Sequence, residues 1–286
     1  MPKADIHPRP WSVRLCQPYR RLTAGSRALP DYIVLGAQKA GTTSLHRYLE
    51  AHPSVLPCLV KEVQYFSMHH DLGEAWYRSH FPTKRALARE AARHGGTALT
   101  GESSPYYLFH PLAPARARGC VPDARLIVLL RDPVERAHSH FHHAMKHGLE
   151  DASSFSEALD REGARLAGES DESIAQGTAF HHRNHSYVAR GAYATQLRAW
   201  LKHYPRDQIL VLSAAELTEK PGVVLQEALR FLGLPPFELP EYARHNPSGK
   251  APLDPALRER LAHTFAPSNQ ELYQLVRRDF GWEPES

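Results

Sequence analysis

The chain has 286 residues, 42% of them hydrophobic and 23% charged, with a formal net charge of +4 at pH 7. This is ordinary globular composition, long enough to bury one sizeable core. The longest apolar runs, at 33–35 and 126–130, fall far short of the roughly 18 residues a membrane span needs, and Cys16, Cys58 and Cys120 can neither pair evenly nor match a metal-ligand spacing. A span, a disulfide scaffold and a cysteine-based zinc site are thereby excluded, and a reduced, cytoplasmic protein without a secretory leader is expected.

In chain order, residues 1–29 form a basic arm rich in Pro and Arg. Up to residue 30, Lys3, Arg9, Arg14, Arg20, Arg21 and Arg27 face Asp5 alone, a balance of +5 that leaves −1 for the rest. A nucleic-acid partner would call for a basic stripe on the folded body; none is visible, and the arm reads as a solvated or loosely packed leader.

Residues 31–37 (DYIVLGA) read as a buried strand, and Leu45, Tyr48, Leu49 and His52 then keep helical spacing until Pro53. A second strand is expected at 97–102 and a third at 125–130 (RLIVLL). Behind the third, Asp132, Pro133 and Glu135 are laid out as a capping box, and Val134, Ala137, Phe141 and Ala144 mark one helix face. Further on, 187–203 reads as helix, 208–212 as a fourth strand, and Val224, Leu225, Ala228, Leu229 and Leu232 as an amphipathic helix stopped by Gly233. Asp254-Pro255 and 268–271 are two more helix starts. Strands alternating with helices imply one α/β domain, residues 30–286, with a central parallel sheet covered by helices on both faces.

Ligands of such sheets sit where strands run into helices. The first of these turns reads Gly36-Ala37-Gln38-Lys39-Ala40-Gly41-Thr42-Thr43-Ser44, its glycines spaced as in a nucleotide-binding P-loop. Glycine lets backbone approach an anion, and the helix start beyond it offers free N–H groups and a favourable dipole. An NTPase would have its lysine where Thr42 stands and an aspartate at the end of the third strand, where Arg131 stands; a magnesium-dependent kinase, the competing enzyme reading, lacks these parts. Arg131 and Ser139 can together grip a second phosphate, although an arginine at a strand end also serves as a salt-bridge partner. Lys61-Glu62 reads equally as an exposed charge pair, and 246–250 as a surface turn.

With these residues assembled, 32–45 resembles the 5′-phosphosulfate loop of sulfotransferases that use 3′-phosphoadenosine-5′-phosphosulfate (PAPS), and Arg131 to Ser139 resembles their 3′-phosphate motif. Lys61-Glu62-Val63-Gln64-Tyr65-Phe66, Gly191-Ala192-Tyr193, Phe231-Leu232-Gly233-Leu234 and Asn269-Gln270-Glu271-Leu272 are similar to segments of the heparan sulfate N- and O-sulfotransferase branch. The chain is thereby identified as a soluble, bacterial-type member over residues 30–282. The resemblance implies in-line sulfuryl transfer from PAPS to a hydroxyl or amine of a small-molecule or glycan acceptor, with PAP (the desulfated nucleotide) as product and no metal required. It makes Glu62 the base, beside an apolar wall of Val63, Tyr65 and Phe66, and Lys39 the group that stabilises developing charge. Cofactor binding falls to Lys39, Ala40, Gly41, Thr42, Thr43 and Ser44, to Arg131 and Ser139, and to a late loop with Ser248, Gly249 and Lys250.

One departure stands out: Ser103 occupies the place where heparan-type enzymes often carry a lysine, which argues against an acidic polysaccharide acceptor. Glu102 is the next candidate base. The histidines at 138–143 and 181–185 read as solvated, and the loop 176–190 lies where an acceptor lid would be. A non-catalytic PAP-binding module remains the third functional reading.

Overall fold

The computed structural model describes residues 11–243 and 252–282. Five strands, β1 (Tyr32–Gly36), β2 (Val55–Leu56), β3 (Leu99–Ser103), β4 (Arg125–Leu130) and β5 (Ile209–Ser213), form one sheet in the order β2-β3-β1-β4-β5. Every pairing is parallel. β1 is central and wholly buried, as is β4 after Arg125. Such continuous apolar runs are what a strand covered on both faces requires. After β1 the chain moves outward to β2 and returns through β3, then crosses to β4 and β5 on the other side. The carboxyl ends of β1 and β4 therefore flank a topological switch point, the place where an open parallel sheet leaves a crevice.

Helices cover the sheet as the sequence periodicity anticipates. Pro133–Lys146 buries Val134, Ala137, Phe141 and Ala144, and Asp132 caps it by accepting from the Val134 and Glu135 amides at 2.8 and 3.2 Å. Gly233 ends Pro221–Leu232 in the left-handed conformation.

Four local expectations change. β2, with only two residues, is too short for periodicity to reveal. The helix expected at 187–203 is confined to Tyr193–Leu201, after a 3-10 turn at Ala189–Gly191 whose Arg190 is buried. The two late helix starts belong to one helix, Pro255–Val276, which runs through Pro267. A proline there sacrifices one backbone bond, and burial of Leu261, Phe265 and Leu272 against the body offsets that loss. Finally, the arm is not simply a solvated leader: Trp11–Leu22 is a helix, tied down where Arg20 donates to the carbonyls of Ser79 and Phe81 at 2.5 and 2.8 Å. No described helix is long and apolar enough to cross a membrane.

Candidate active site

The turn after β1 is shaped by two glycines. Gly36 passes so close to the 105–108 segment that an added Cβ would lie 2.8 Å from Leu108 Cβ and 3.0 Å from the Pro105 carbonyl oxygen. Gly41, at φ 96°, precedes the helix Thr42–Glu50 in a left-handed conformation that a side chain resists. Between them the Ala37 amide donates to Leu129 O at 2.7 Å and the Ala40 amide to Ala37 O at 3.2 Å, folding the turn against β4. At the start of the following helix the Ser44 and Leu45 amides donate to Gly41 O at 3.0 and 3.2 Å, and Gly41, Thr42, Thr43 and Ser44 line the crevice.

Lys39 sits on this turn at φ 70°. Burial lowers the pKa of its ammonium, and the nearby cations Arg131 and Lys146 push in the same direction, while Glu62 opposes them. Arg131, at the end of β4, donates to Lys39 O at 3.2 Å and to Glu135 Oε2 at 3.2 Å. Its own carbonyl accepts from the Tyr193 hydroxyl at 2.8 Å, which gives the Gly191-Ala192-Tyr193 segment a structural task. The salt-bridge reading of Arg131 is thus present in the structure. Ser139, two turns into the helix that follows, is 1% exposed and its Oγ has no hydrogen-bond partner among the described residues. A buried hydroxyl without a partner is costly and unusual.

These parts converge. One cleft of about 660 Å³ is lined by Lys39, Ala40, Gly41, Thr42, Thr43 and Ser44, by Arg131 and Ser139, and by Glu62. Ser248, Gly249 and Lys250 lie outside the described residues.

Glu62 stands in a polar setting rather than the expected apolar one. Val63, Tyr65 and Phe66 turn into the core, fully or nearly fully buried. Glu62 accepts instead from Lys61 Nζ at 3.1 Å and from Gln64 Nε2 at 2.9 Å, so the charge-pair reading is also present in the structure. Both Glu62 and Gln64 have positive φ, 65° and 58°, a costly conformation for residues with side chains. Three bonds hold it: the Glu62 amide donates to Ser103 O at 3.1 Å, the Gln64 amide to Ser104 Oγ at 3.0 Å, and Ser67 Oγ to Gln64 Oε1 at 2.8 Å.

Behind this bend lies Glu102, fully buried. It accepts from Ser104 Oγ and the Tyr77 hydroxyl, both at 2.6 Å, and from the Tyr107 hydroxyl at 3.1 Å. Burial pushes its pKa up to about 7, with the hydroxyl donors pulling the other way. Glu102 does not line the cleft, so its carboxyl supports the bend rather than facing an acceptor. Ser103, expected to mark a lost acceptor contact, is fully buried and its Oγ is unpartnered.

Sequence reasoning missed several groups. Gln38 lines the cleft and accepts from Arg190, a fully buried guanidinium whose pKa burial lowers to about 9. Arg190 lies 4.7 Å from the Tyr106 ring centre and 5.1 Å from that of Phe109, tying the 176–190 loop to the phosphate turn. Ser213, Ala214, Ala215, Leu217 and Thr218, at and after the end of β5, and Trp282 also line the cleft; the strand-end rule applied to β1 and β4 would have found the former. Some of the histidines depart from the solvated reading: His138, His140 and His185 are buried, and His182, half-buried, stacks on Phe109 at 4.5 Å. Burial carries the His182 imidazole down to about 3. Among the described residues no three His, Cys, Asp or Glu side chains are grouped to hold a metal.

A family model described as a sulfotransferase domain matches residues 29–246. The chain is 31% identical to the mouse (Mus musculus) heparan sulfate glucosamine 3-O-sulfotransferase 3B1, over 91% of this chain and 66% of that protein. It is 29% identical to the Caenorhabditis elegans bifunctional heparan sulfate N-deacetylase/N-sulfotransferase 1, over 88% of this chain but only 30% of that protein. A sulfotransferase crystal structure from Alicyclobacillus acidocaldarius superposes with a TM-score of 0.68 at 30% identity, covering 89% of this chain and 99% of that one. With a cationic turn, an orphaned serine and a carboxylate gathered on one switch-point cleft, the chain belongs to the sulfotransferase family and is a sulfuryl-transferring enzyme.

Proposed function

We propose that the donor is PAPS and that the acceptor is a hydroxyl, or an amine, on a small molecule or glycan. The observation that carries this reading is Ser139: its Oγ is buried, unpartnered and on the same cleft as Lys39 and Glu62. A hydroxyl left so in the free protein is suited to an oxygen-rich ligand group, and Arg131 beside it supplies the charge for a phosphate. When bound, PAPS would supply the sulfuryl group and leave as PAP.

The residues divide the work between two charges. The amides and hydroxyls of Gly41, Thr42, Thr43 and Ser44, with Ala40 at the bend, would hold the 5′-phosphate at the helix start. Arg131 and Ser139 would take the 3′-phosphate, with Ser248, Gly249 and Lys250 as a closing loop. Lys39 would offset the negative charge that builds on the leaving phosphate, a fixed cation needing no reorganisation. On the other side, Glu62 Oε would accept the acceptor's proton, its orientation set by Lys61 and Gln64. Residues 30–286 would be the catalytic unit and 1–29 an appended segment, in a reducing cytoplasm that suits three cysteines outside any disulfide. Nucleic acid is not among the proposed acceptors.

The test pairs binding with transfer. PAP at 100 times its dissociation constant should stabilise the chain by about 2.7 kcal/mol, and labelled sulfate should pass from PAPS to a fractionated metabolite pool in the presence of a chelator. A thermal shift from ATP with magnesium but none from PAP would overturn the donor assignment.

A further inference from the structure

Arg190 is 3% exposed, yet among the described residues it forms no ion pair with a carboxylate. Taking a guanidinium out of water without a counter-ion is costly, and the protein surrounds this one with neutral acceptors instead. Nε donates to Ser186 Oγ at 2.7 Å, and Nη2 donates to His182 O at 3.0 Å and to Arg183 O. The guanidinium carbon lies over the Tyr106 and Phe109 rings. The backbone is fixed as firmly: Glu162, itself buried, accepts from the Val188 and Ala189 amides at 2.8 and 2.9 Å, and Gln196 Nε2 donates to Arg190 O at 2.9 Å. Nη1 reaches out of this segment and donates to Gln38 Oε1.

Gln38 is half-buried on the phosphate turn, next to Lys39, and lines the cleft that Glu62 also lines. Its amide can meet Arg190 in one orientation only. A guanidinium carries donors and no acceptor, so the side-chain oxygen is the atom turned toward it. Nε2 is then left as a donor without a hydrogen-bond partner among the described residues, on a side chain that borders the cleft. A solvated glutamine amide turns freely; this one is held by a cation that is itself fixed.

We propose that Arg190 is a positioning residue for sulfuryl transfer: it locks the Gln38 amide so that Nε2 donates to an oxygen of the sulfuryl group. Sulfuryl oxygens only accept and Nε2 only donates, and a donor set in place beforehand needs no reorganisation as charge moves. A neutral donor suits the sulfuryl group, which carries less charge than a phosphoryl group, while the cation of Lys39 beside it serves the phosphate. The proposal rests on the reading of PAPS as donor and adds a contact that PAP, which lacks the sulfuryl group, cannot make.

The experiment is calorimetric titration of the full chain with PAP and with PAPS, with no acceptor present. Gln38→Ala should leave PAP affinity within about twofold and weaken PAPS about fivefold to tenfold. Gln38→Glu should shift the PAPS-to-PAP ratio the same way, since a carboxylate still accepts from Arg190 but has no N–H to offer. Arg190→Lys keeps a buried cation without the planar fork, and should weaken PAPS about threefold or more with PAP unmoved. In the Gln38→Ala background the same change should add less than about twofold. A role in folding alone, or in long-range charge, would move both nucleotides together and persist in that background. The two Gln38 variants lie at the cleft and do not depend on how the buried site tolerates lysine. A parent ratio kept by both of them overturns the proposal, as does an Arg190→Lys effect that survives in the Gln38→Ala background. A parent chain that binds neither nucleotide overturns the donor assignment and this proposal with it.

Discussion

The two walls of the cleft are built by opposite means. The 36–44 turn and the end of β4 form a cationic wall, with Lys39 set among other cations and Ser139 Oγ without a hydrogen-bond partner among the described residues. The 61–64 bend brings Glu62 to the same cleft, and there the carboxylate and the amide side chain beside it are already tethered. Glu62 is held by Lys61 and Gln64, Gln64 by Ser67 and Ser104, and Ser104 donates to Glu102. An open wall suits a ligand that brings its own charge. A tethered wall suits a group that must sit in one place while a proton moves.

Removing basicity from the tethered wall should produce the largest effect. Glu62→Gln keeps the shape and the Gln64 contact, so single-turnover sulfate transfer should fall roughly 10²–10⁴-fold while PAP affinity stays unchanged. Transfer within a few-fold of the parent enzyme would leave Glu62 as no more than the partner of Lys61.

Glu102 sharpens the contrast from behind the same wall, through stability rather than rate. Its carboxyl is pushed from 4.5 up to about 7 by burial. Between those values the folded state keeps a proton that the unfolded chain has lost, so stability declines as pH rises through that window and then levels. Glu102→Gln removes this term. Compared with the parent chain, the variant should gain about 3 kcal/mol at most between pH 4.5 and 7, read by denaturant unfolding at a series of pH values. The same difference at every pH would mean that Glu102 titrates in the fold as it does in water.

The two walls also differ in how much of them the sequence discloses. The cationic wall is local: Gly36, Lys39 and Gly41 are consecutive in one turn, and Arg131 to Ser139 is one strand end and its helix, so spacing alone places them. The sheet was readable for the same reason, since β1 and β4 are unbroken apolar runs. The tethered wall is assembled across the chain. Glu62 could be picked out only by its resemblance, and its setting depends on Ser103 and Ser104 some forty residues away and on Tyr77 reaching Glu102. No periodicity announces a bend with two positive φ values at non-glycine residues, because its cost is offset by these distant bonds. The buried histidines escaped for a related reason: composition makes His polar, and only the packing of Phe109 and Tyr187 around them shows otherwise.

On the open wall the effects should fall on binding. Arg131→Ala should weaken PAP by roughly 2–3 kcal/mol, the scale of a lost charge-assisted contact. Part of the arginine's present role is to hold Lys39 O and Glu135, so the variant's folding should be checked by thermal unfolding. Unchanged PAP affinity in a folded Arg131→Ala protein would put the 3′-phosphate elsewhere.

Ser139→Ala is the smallest change and the one that separates an open wall from a merely imperfect one. In the free protein Ser139 Oγ is buried with no partner, so it contributes an unmet desolvation cost and no compensating bond. Alanine keeps nearly the same volume and removes that polar atom; the free variant should be as stable as the parent, or more stable by about 1 kcal/mol. In the complex the hydroxyl would gain its bond to phosphate, and losing a bond of that kind should weaken PAP by about 1 kcal/mol, close to fivefold. The two readouts should therefore move in opposite directions: unfolding of the free protein unchanged or improved, PAP titration poorer. Were Ser139 a structural hydroxyl of the helix Pro133–Lys146, the free variant would lose stability and PAP affinity would stay unmoved. Calorimetric titration beside thermal unfolding of the same preparation decides between them.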